Sequence, residues 1–279
     1  MDFEHLYEKA GEVTIVEDDK ISLERHSEVL SDEVADILDK VLEENPLPFE
    51  LADFQTLAIH ALGSMRNVIL ISPTGSGKML VAYLAILVLQ KKLGIPSGVG
   101  IGTQPLSSIM NEKVKNTYLS TGTISMQGCL QSSAEFADTE DDDGAVLSTS
   151  IEEFKSGNIN CVIGHAESWK TKAATEILDS LQEKELILFS FVDEAHVPLK
   201  DHWDGFRPEM RVVSGQLRGK TIRGAPCLAM TATLTPSEVG EVKGILGLRD
   251  ENTVVLRGNP IQRHHKYNRL VISYNSRKF

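Results

Sequence analysis

The feature that most constrains this chain is a series of short, continuously apolar runs that alternate with stretches of helical periodicity from about residue 51 onward. Strands that are apolar throughout, and not only at alternate positions, suit a parallel sheet buried on both faces. This succession predicts a doubly wound α/β domain that binds ligands at the carboxyl ends of its strands. The predicted strands are Asn67–Ser72, Val99–Thr103, Gly122–Met126, Asn160–Ile163, Leu186–Val192, Cys227–Thr231 and Thr253–Leu256.

Helical stretches fall between most of these strands, and one more precedes them. Ser31–Leu42 has apolar residues at helical spacing, and Ser31 is a candidate N-cap. Ser132–Thr149 interrupts the rhythm and contains the acidic cluster Glu140–Asp143, so we interpret it as a surface loop. The helices predicted between strands are Lys78–Lys92, Ser107–Thr117, Lys172–Lys184, Pro208–Leu217 and Pro236–Leu246.

The net charge of −12 belongs to the first 50 residues, which hold 16 Asp and Glu against 4 Lys and Arg. The rest of the chain holds equal numbers of acidic and basic residues. Phosphate binding depends on local basic patches, so this balance neither supports nor excludes a nucleic-acid partner. It favours a solvated acidic extension with one docked helix.

Several protein classes are disfavoured by composition. The longest apolar run, Met79–Leu89, has eleven residues, whereas a membrane-spanning helix needs about twenty. No basic stretch followed by an apolar one opens the chain, so a secretory signal is not expected. The cysteines Cys129, Cys161 and Cys227 are too scattered for a disulfide framework or a cysteine zinc site. We expect an intracellular protein without a membrane partner, in the nucleus or, in a prokaryote, the cytoplasm.

The segment after the first predicted strand reads Ser-Pro-Thr-Gly-Ser-Gly-Lys-Met, residues 72–79. A strand, a glycine-containing turn and a helix start converge backbone N–H groups on one point where a phosphate can bind, and Lys78 can reach the β- and γ-phosphates. The strict pattern G-x-x-x-x-G-K-[ST] is missed benignly at Ser72 and more seriously at Met79, where a hydroxyl would bind Mg²⁺. A strand-to-helix turn without a ligand is the alternative.

The second motif ends the predicted strand Leu186–Val192, which is followed by Asp193, Glu194, Ala195 and His196. A strand parallel to the one before the phosphate loop would place Asp193 beside the Mg²⁺ of a nucleotide. Glu194 would then polarise an attacking water. In isolation the two carboxylates could equally form an exposed acidic turn, but together with a phosphate loop they indicate a nucleotide hydrolase.

With these motifs the chain resembles the superfamily-two helicases, and within them the ATP-binding domain of RecQ-like DNA helicases, from about Phe49 to Pro260. The resemblance implies a single RecA-like domain, a mostly parallel sheet with helices on both faces, at residues 49–260. Residues 1–48 form a partly helical acidic extension, and residues 261–279 a tail or linker. It implies ATP and Mg²⁺ as ligands and single-stranded or forked DNA as partner, in DNA repair or recombination. The implied nucleotide-binding residues are Gln55 for adenine, then Thr74, Gly75, Ser76, Gly77, Lys78 and Met79, with Lys78, Asp193 and Glu194 catalytic.

The resemblance also implies DNA contacts. Residues 103–110 are similar to a family segment that holds the DNA backbone, which implies contacts from Gln104, Pro105, Leu106 and Ser107. Residues 203–208 resemble the aromatic-rich loop that connects DNA contact with ATP hydrolysis. There Trp203 and Phe206 offer faces for base stacking, and Arg207 a phosphate or cation–π contact. Core packing of the two aromatic rings is the alternative.

Thr231-Ala232-Thr233 resembles the family's Thr-Ala-Thr motif. The resemblance implies that Thr231 and Thr233, with His196, relay the nucleotide state from the acidic motif to the DNA site. Capping of the helix that begins at Pro236, by Thr233 or Thr235, is compatible with that relay.

The leading interpretation is the ATP-binding domain of a RecQ-like 3'-5' DNA helicase. Such motors hydrolyse ATP between two RecA-like domains and this chain has room for one, so we expect weak or absent unwinding by it alone. The alternative is a non-catalytic, nucleotide-dependent binding module whose acidic extension binds a protein partner. A phosphate-loop kinase is disfavoured because it leaves residues 203–208 and 231–233 unexplained.

Overall fold

The computed structural model describes residues 13–14, 28–104, 121–126, 145–147, 150–199 and 209–258. Within those residues nine strands form a single sheet. The strands are β1 (Val13–Thr14), β2 (Asn67–Ile71), β3 (Val99–Thr103), β4 (Thr121–Met126), β5 (Ala145–Leu147), β6 (Cys161–Gly164), β7 (Ile187–Asp193), β8 (Cys227–Thr231) and β9 (Thr253–Arg257).

Seven α-helices accompany the sheet in the described part of the chain. Short 3₁₀ turns at Ser168–Lys170 and Asp250–Asn252 lead into α5 and β9. The helices are α1 (Asp32–Glu44), α2 (Asp53–Gly63), α3 (Lys78–Leu93), α4 (Ile151–Ser156), α5 (Lys172–Glu183), α6 (Glu209–Gly219) and α7 (Pro236–Leu246).

The sheet runs in the order β1-β9-β2-β8-β7-β3-β6-β4-β5. All described pairs are parallel except β4 with β5, which confirms the predicted mostly parallel sheet. The strand before the phosphate loop, β2, lies between β9 and β8, and β7 follows β8. The phosphate loop and the acidic motif therefore follow parallel strands with one strand between them.

Helices cover both faces of the sheet, as predicted. Alternate side chains of the buried strands belong to two apolar clusters: one includes α1, α2 and α3, and the other includes α4, α5, α6 and α7. The first face is packed closely where α1 meets α2, because a Cβ on Gly63 would lie 2.8 Å from a methyl of Val34. Ser31 caps α1 as predicted, its hydroxyl accepting from the backbone N–H of Val34.

Most predicted elements in the described part of the chain differ from the observed ones by at most two residues at an end. The helix predicted at Ser107–Thr117 lies outside the described residues. The surface loop predicted at Ser132–Thr149 is wrong in part, since β5 lies within it and pairs antiparallel to β4. A strand of three residues is too short to give a periodic pattern. Among the described residues no helix combines the length and apolar character needed to cross a bilayer.

Candidate nucleotide-binding site

The phosphate loop connects β2 to α3 at the carboxyl end of the sheet. The backbone N–H of Ser72 donates to the carbonyl of Thr231 at 3.0 Å, and the N–H of Gly258 donates to that of Ile71 at 2.7 Å. The start of the loop is thus fixed between the segments that follow β8 and β9. The predicted strand, turn and helix start are all present.

Two glycines give the loop its shape. Gly75 and Gly77 have φ values of 80° and 83°, a left-handed conformation that glycine adopts at no steric cost. A Cβ on Gly77 would lie 2.6 Å from the Nε2 atom of Gln55, whereas one on Gly75 would meet nothing within 4 Å. The loop backbone is therefore packed against α2 at Gly77 and open at Gly75, beside the exposed Thr74, where a phosphate has access to it.

Lys78, the first residue of α3, points back into the loop. Its Nζ atom donates to the carbonyl oxygens of Ser72 at 2.8 Å and Pro73 at 2.9 Å. The Ser72 hydroxyl, at the position of the pattern's first glycine, is buried and donates to the Ser76 hydroxyl at 2.9 Å. Ser72 therefore fits the loop without distorting it. The ammonium group of Lys78 lies inside the loop.

Met79, the second residue of α3, is half-buried and packs against the apolar cluster of α1, α2 and α3. Mg²⁺ prefers oxygen ligands in near-octahedral geometry, and a thioether is a soft ligand. The residue at this position does not fit the metal of a nucleotide. The loop fits the phosphates and lacks the hydroxyl expected for the cation.

Gln55 lies in the first turn of α2 and is buried against the phosphate loop. Its Oε1 accepts from the N–H of Ala52 at 2.9 Å, and its Nε2 donates to the carbonyl of Gly77 at 3.2 Å. The side chain that the resemblance assigns to adenine thus contacts the loop backbone directly. It borders a pocket of about 500 Å³ beside the loop.

Two aromatic residues that sequence reasoning missed also line this pocket. Phe49 is 54% exposed and precedes α2, and Tyr83 lies one turn into α3 beyond Lys78. The Tyr83 hydroxyl is buried and makes no hydrogen bond among the described residues. Burial, with the negative charge of Asp193, raises the pKa of Tyr83. The available sequence signal for Phe49 was an aromatic residue six positions before Gln55.

The acidic motif begins at Asp193, the last residue of β7, and all seven residues of that strand are buried. The Asp193 carboxylate is 7% exposed, and its Oδ1 accepts from the N–H of Glu194 at 3.1 Å. Glu194 has a φ of 54°, uncommon for a residue other than glycine. The N–H of Ala195 then donates to the carbonyl of Met230 at 2.8 Å, which holds this turn against β8.

His196 connects the acidic motif to the end of β8. Its Nδ1 lies 2.8 Å from the hydroxyl oxygen of Thr231 and 3.4 Å from Oε2 of Glu194. The Thr231 hydroxyl also lies 3.2 Å from both the N–H and the carbonyl oxygen of Thr233. The structure therefore brings together the three residues to which the resemblance gives a relay role.

The strand pairing sets the two motifs side by side. Ile71 pairs with Thr231, and Met230 pairs with Asp193. Neighbouring strands are about 4.8 Å apart, so the ends of β2 and β7 are roughly 10 Å apart, a span that a nucleotide with a bound cation bridges. Among the described residues no group of three His, Cys, Asp or Glu could hold a metal ion.

The candidate DNA contacts are described only in part. Gln104 directly follows β3 and is buried. Its backbone N–H donates to the carbonyl of Gly164 at 3.1 Å, and its carbonyl oxygen lies 2.9 Å from Nδ1 of His165. The Gln104 amide makes no hydrogen bond among the described residues. The other proposed contacts lie outside the described residues: Pro105, Leu106, Ser107, Trp203, Phe206 and Arg207.

Residues 52–242 match the family model described as DEAD/DEAH box helicase. No curated protein sequence matches the chain.

Solved structures share the fold. The DUF1998 helicase MrfA matches at 16% identity and a TM-score of 0.52. The match covers 82% of this chain and 33% of the MrfA chain. The structure of MrfA bound to DNA matches at 14% identity and a TM-score of 0.53. This match covers 90% of this chain and 31% of the MrfA chain. The DEAD-box helicase Mss116, bound to ssRNA and UDP-BeF, matches at 16% identity and a TM-score of 0.54. This match covers 90% of this chain and 47% of the Mss116 chain. The chain thus has the RecA-like helicase fold and spans a third to a half of these proteins.

Proposed function

Because the chain belongs to the DEAD/DEAH box helicase family, we propose that it is the ATP-binding domain of a RecQ-like 3'-5' DNA helicase. The observation that carries the proposal is the juxtaposition of the phosphate loop and the Asp193–Glu194 turn at one end of the sheet, on either side of β8. A buried carboxylate one strand away from a glycine-rich loop and a lysine is the arrangement that a nucleoside triphosphate requires.

In this proposal each side chain has one task. Lys78 exchanges the carbonyls of Ser72 and Pro73 for phosphate oxygens, and Gln55 and the pocket beside it receive the base. Asp193 would hold Mg²⁺, and Glu194 would polarise the water that attacks the γ-phosphate. When bound, ATP with Mg²⁺ supplies the free energy of phosphate release.

We propose single-stranded DNA as the nucleic-acid partner. One support is the segment that begins at Gln104, which lies at the same end of the sheet as the phosphate loop and whose amide makes no hydrogen bond among the described residues. The other is the aromatic residues of 203–208. Protein-bound bases stack on aromatic rings, and the helicase MrfA has been seen with DNA. RNA, the ligand in the Mss116 structure, is the competing partner.

Steady-state ATPase assays with no nucleic acid, single-stranded DNA or single-stranded RNA of one sequence test this function. We expect ATP turnover that single-stranded DNA stimulates more than RNA of the same sequence. Trp203→Ala should weaken DNA binding by about 1–3 kcal/mol. The control is Trp169→Phe, because Trp169 is buried and is not among the proposed DNA contacts. Stimulation by RNA alone would overturn the DNA assignment.

The packing of Met79 against the apolar cluster favours a second candidate, a nucleotide-dependent binding module without turnover. In that case ATP changes the affinity for nucleic acid or a protein partner and is not hydrolysed. Fluorescence anisotropy of labelled single-stranded DNA, with ATP and with a non-hydrolysable analogue, separates the two. Equal effects of both nucleotides, with no phosphate release, would support the module.

A further inference from the structure

A second pocket, of about 620 Å³, lies at the opposite end of the sheet from the phosphate loop. It is formed where β2, β8 and β9 begin and where α6 and α7 end, and its walls include Asn67, Ala225 and Asn252. None of its residues belongs to the candidate nucleotide site. We call it the arginine pocket, after Arg218, Arg223 and Arg249 in its wall.

The arginine pocket has an excess of positive charge. Its three guanidinium groups are accompanied by a single carboxylate, that of Glu251, and arginine stays protonated in proteins. Arg218 donates from one nitrogen to the Asn67 side chain at 3.0 Å, and the described ion pairs include none of the three arginines.

The carboxylate of Asp250, next in sequence to Arg249, is already in an ion pair. Asp250, between Arg249 and Glu251, accepts from Nζ of Lys243 at 2.7 Å. Arg223 and Arg249 are exposed, so their guanidinium groups are available to a carboxylate from elsewhere. Guanidinium groups bind carboxylates through paired hydrogen bonds.

We propose that the arginine pocket binds an acidic polypeptide segment, and that its occupant is residues 1–12 of this same chain. The strand β1 is the first observation. It pairs with β9 in parallel, with Val13 opposite Val255 and Thr14 opposite Leu256. Because the two strands are parallel, the amino end of β1, at Val13, faces the end of the sheet where β9 begins.

Length and charge both fit this occupant. Three strand spacings of about 4.8 Å separate β1 from β8, so roughly 14 Å must be crossed, and four or five extended residues at about 3.3 Å each are enough. Residues 1–12 contain four carboxylates, Asp2, Glu4, Glu8 and Glu12, and one basic residue, Lys9. The segment therefore has a net charge of −3, opposite in sign to the +2 of the pocket.

Tethering favours this occupant over a free anion. The carboxyl ends of α6 and α7 place partial negative charge near the pocket, which offsets part of the attraction for a free phosphate. A segment tied to β1 is present at an effective concentration of roughly millimolar, so weak ion pairs are enough to hold it.

Zero-length cross-linking of the whole chain tests the contact. Arg223→Lys and Arg249→Lys keep the charge and provide an amine that carbodiimide couples only to a carboxylate in direct contact. Arg211→Lys, on the exposed surface of α6 and outside the pocket, is the matched control. We expect peptide mapping to find residues 1–12 joined to position 223 or 249 at least fivefold more often than to position 211, and 0.5 M salt to abolish the difference by screening.

A second variant makes the result specific to the segment. Adding Glu4→Gln, Glu8→Gln and Glu12→Gln to Arg249→Lys should reduce the cross-link yield at least fivefold while circular dichroism stays unchanged. Yields equal to the Arg211→Lys control, or cross-links from position 249 to Glu251 only, would overturn the proposal. So would cross-links between two chains that increase with protein concentration, because the occupant would then be a second copy.

Discussion

The phosphate loop and the acidic turn, on either side of β8, have the same backbone support and different side chains. Both follow fully buried strands, and both are hydrogen-bonded to the end of β8, the first at Thr231 and the second at Met230. The acidic turn keeps its carboxylates and its histidine. The phosphate loop keeps its lysine and glycines and has Met79 in place of a hydroxyl.

This difference separates two requirements that are usually met together. The backbone of the loop is fixed by β2, by Gln55 and by the neighbouring strands, none of which depends on residue 79. Under the proposed function, phosphate binding would therefore rely on Lys78 and the loop, whereas metal binding would rely on Asp193 with little help from the loop. ATP affinity and Mg²⁺ dependence should accordingly be separable by substitution.

The largest effect is expected for Lys78→Ala. Hydrogen bonds to charged groups contribute about 1.5–3 kcal/mol each, so ATP affinity should fall by about 10–100-fold in isothermal titration calorimetry. Lys184→Ala, at the exposed end of α5, should bind ATP as the natural chain does. An unchanged affinity in Lys78→Ala would show that the phosphates bind elsewhere.

Met79→Ser tests the other half of the comparison. The natural chain should bind ATP with weak dependence on Mg²⁺, and the serine should raise that dependence and any DNA-stimulated turnover by several-fold because it provides an oxygen ligand. Met79→Ala, which removes the thioether and provides no hydroxyl, is the control. If the natural protein already hydrolyses ATP with strong Mg²⁺ dependence and the serine adds nothing, the methionine is not a defect.

Thr231→Val tests whether the end of β8 connects the two loops. The substitution leaves His196 and the Thr233 backbone without their hydroxyl partner, so the free energy of unfolding should fall by about 1–3 kcal/mol. DNA stimulation of ATPase should fall with it, and Thr231→Ser should retain both. Urea unfolding measures the stability, and ATPase assays at several DNA concentrations measure the stimulation. If Thr231→Val loses stability but keeps DNA stimulation, the threonine has a structural role only.

The smallest effect concerns α2, which supports the phosphate loop through Gln55. Burial lowers the pKa of His60 below 6.5, and its Nδ1 accepts from the N–H of Ser31 at 3.1 Å. The unfolded chain therefore binds a proton first, and the free energy of unfolding should decrease as pH falls below about 6.5 and not change above it through this group. In urea unfolding at pH 5.5 and 7.5, His60→Asn should show a smaller difference in the free energy of unfolding than the natural chain does. An equal difference in the two proteins would exclude His60 as the cause of the pH dependence.

The sequence predicted the fold well because the strands are apolar without interruption and the helices are capped by recognisable residues, such as Ser31 and the Thr235-Pro236 pair. It also predicted which motifs meet, since parallel strands place their carboxyl ends together. It could not predict the left-handed turn at Glu194 or the contact of Gln55 with Gly77, because both depend on neighbours distant in sequence. The pocket residue Tyr83 was hidden within a helix that is apolar on all sides.

The position of β2 has a consequence for synthesis on the ribosome. Both of its partners, β8 and β9, come late in the chain, and the bond from Cys227 to Asn67 spans 160 residues. At about 5–20 residues per second, the strand that carries the phosphate loop has neither partner for roughly 8–30 s after it is made. Exposed strand edges promote aggregation, so a nascent chain that stalls before Cys227 should be a stronger chaperone client than one that stalls after Arg257.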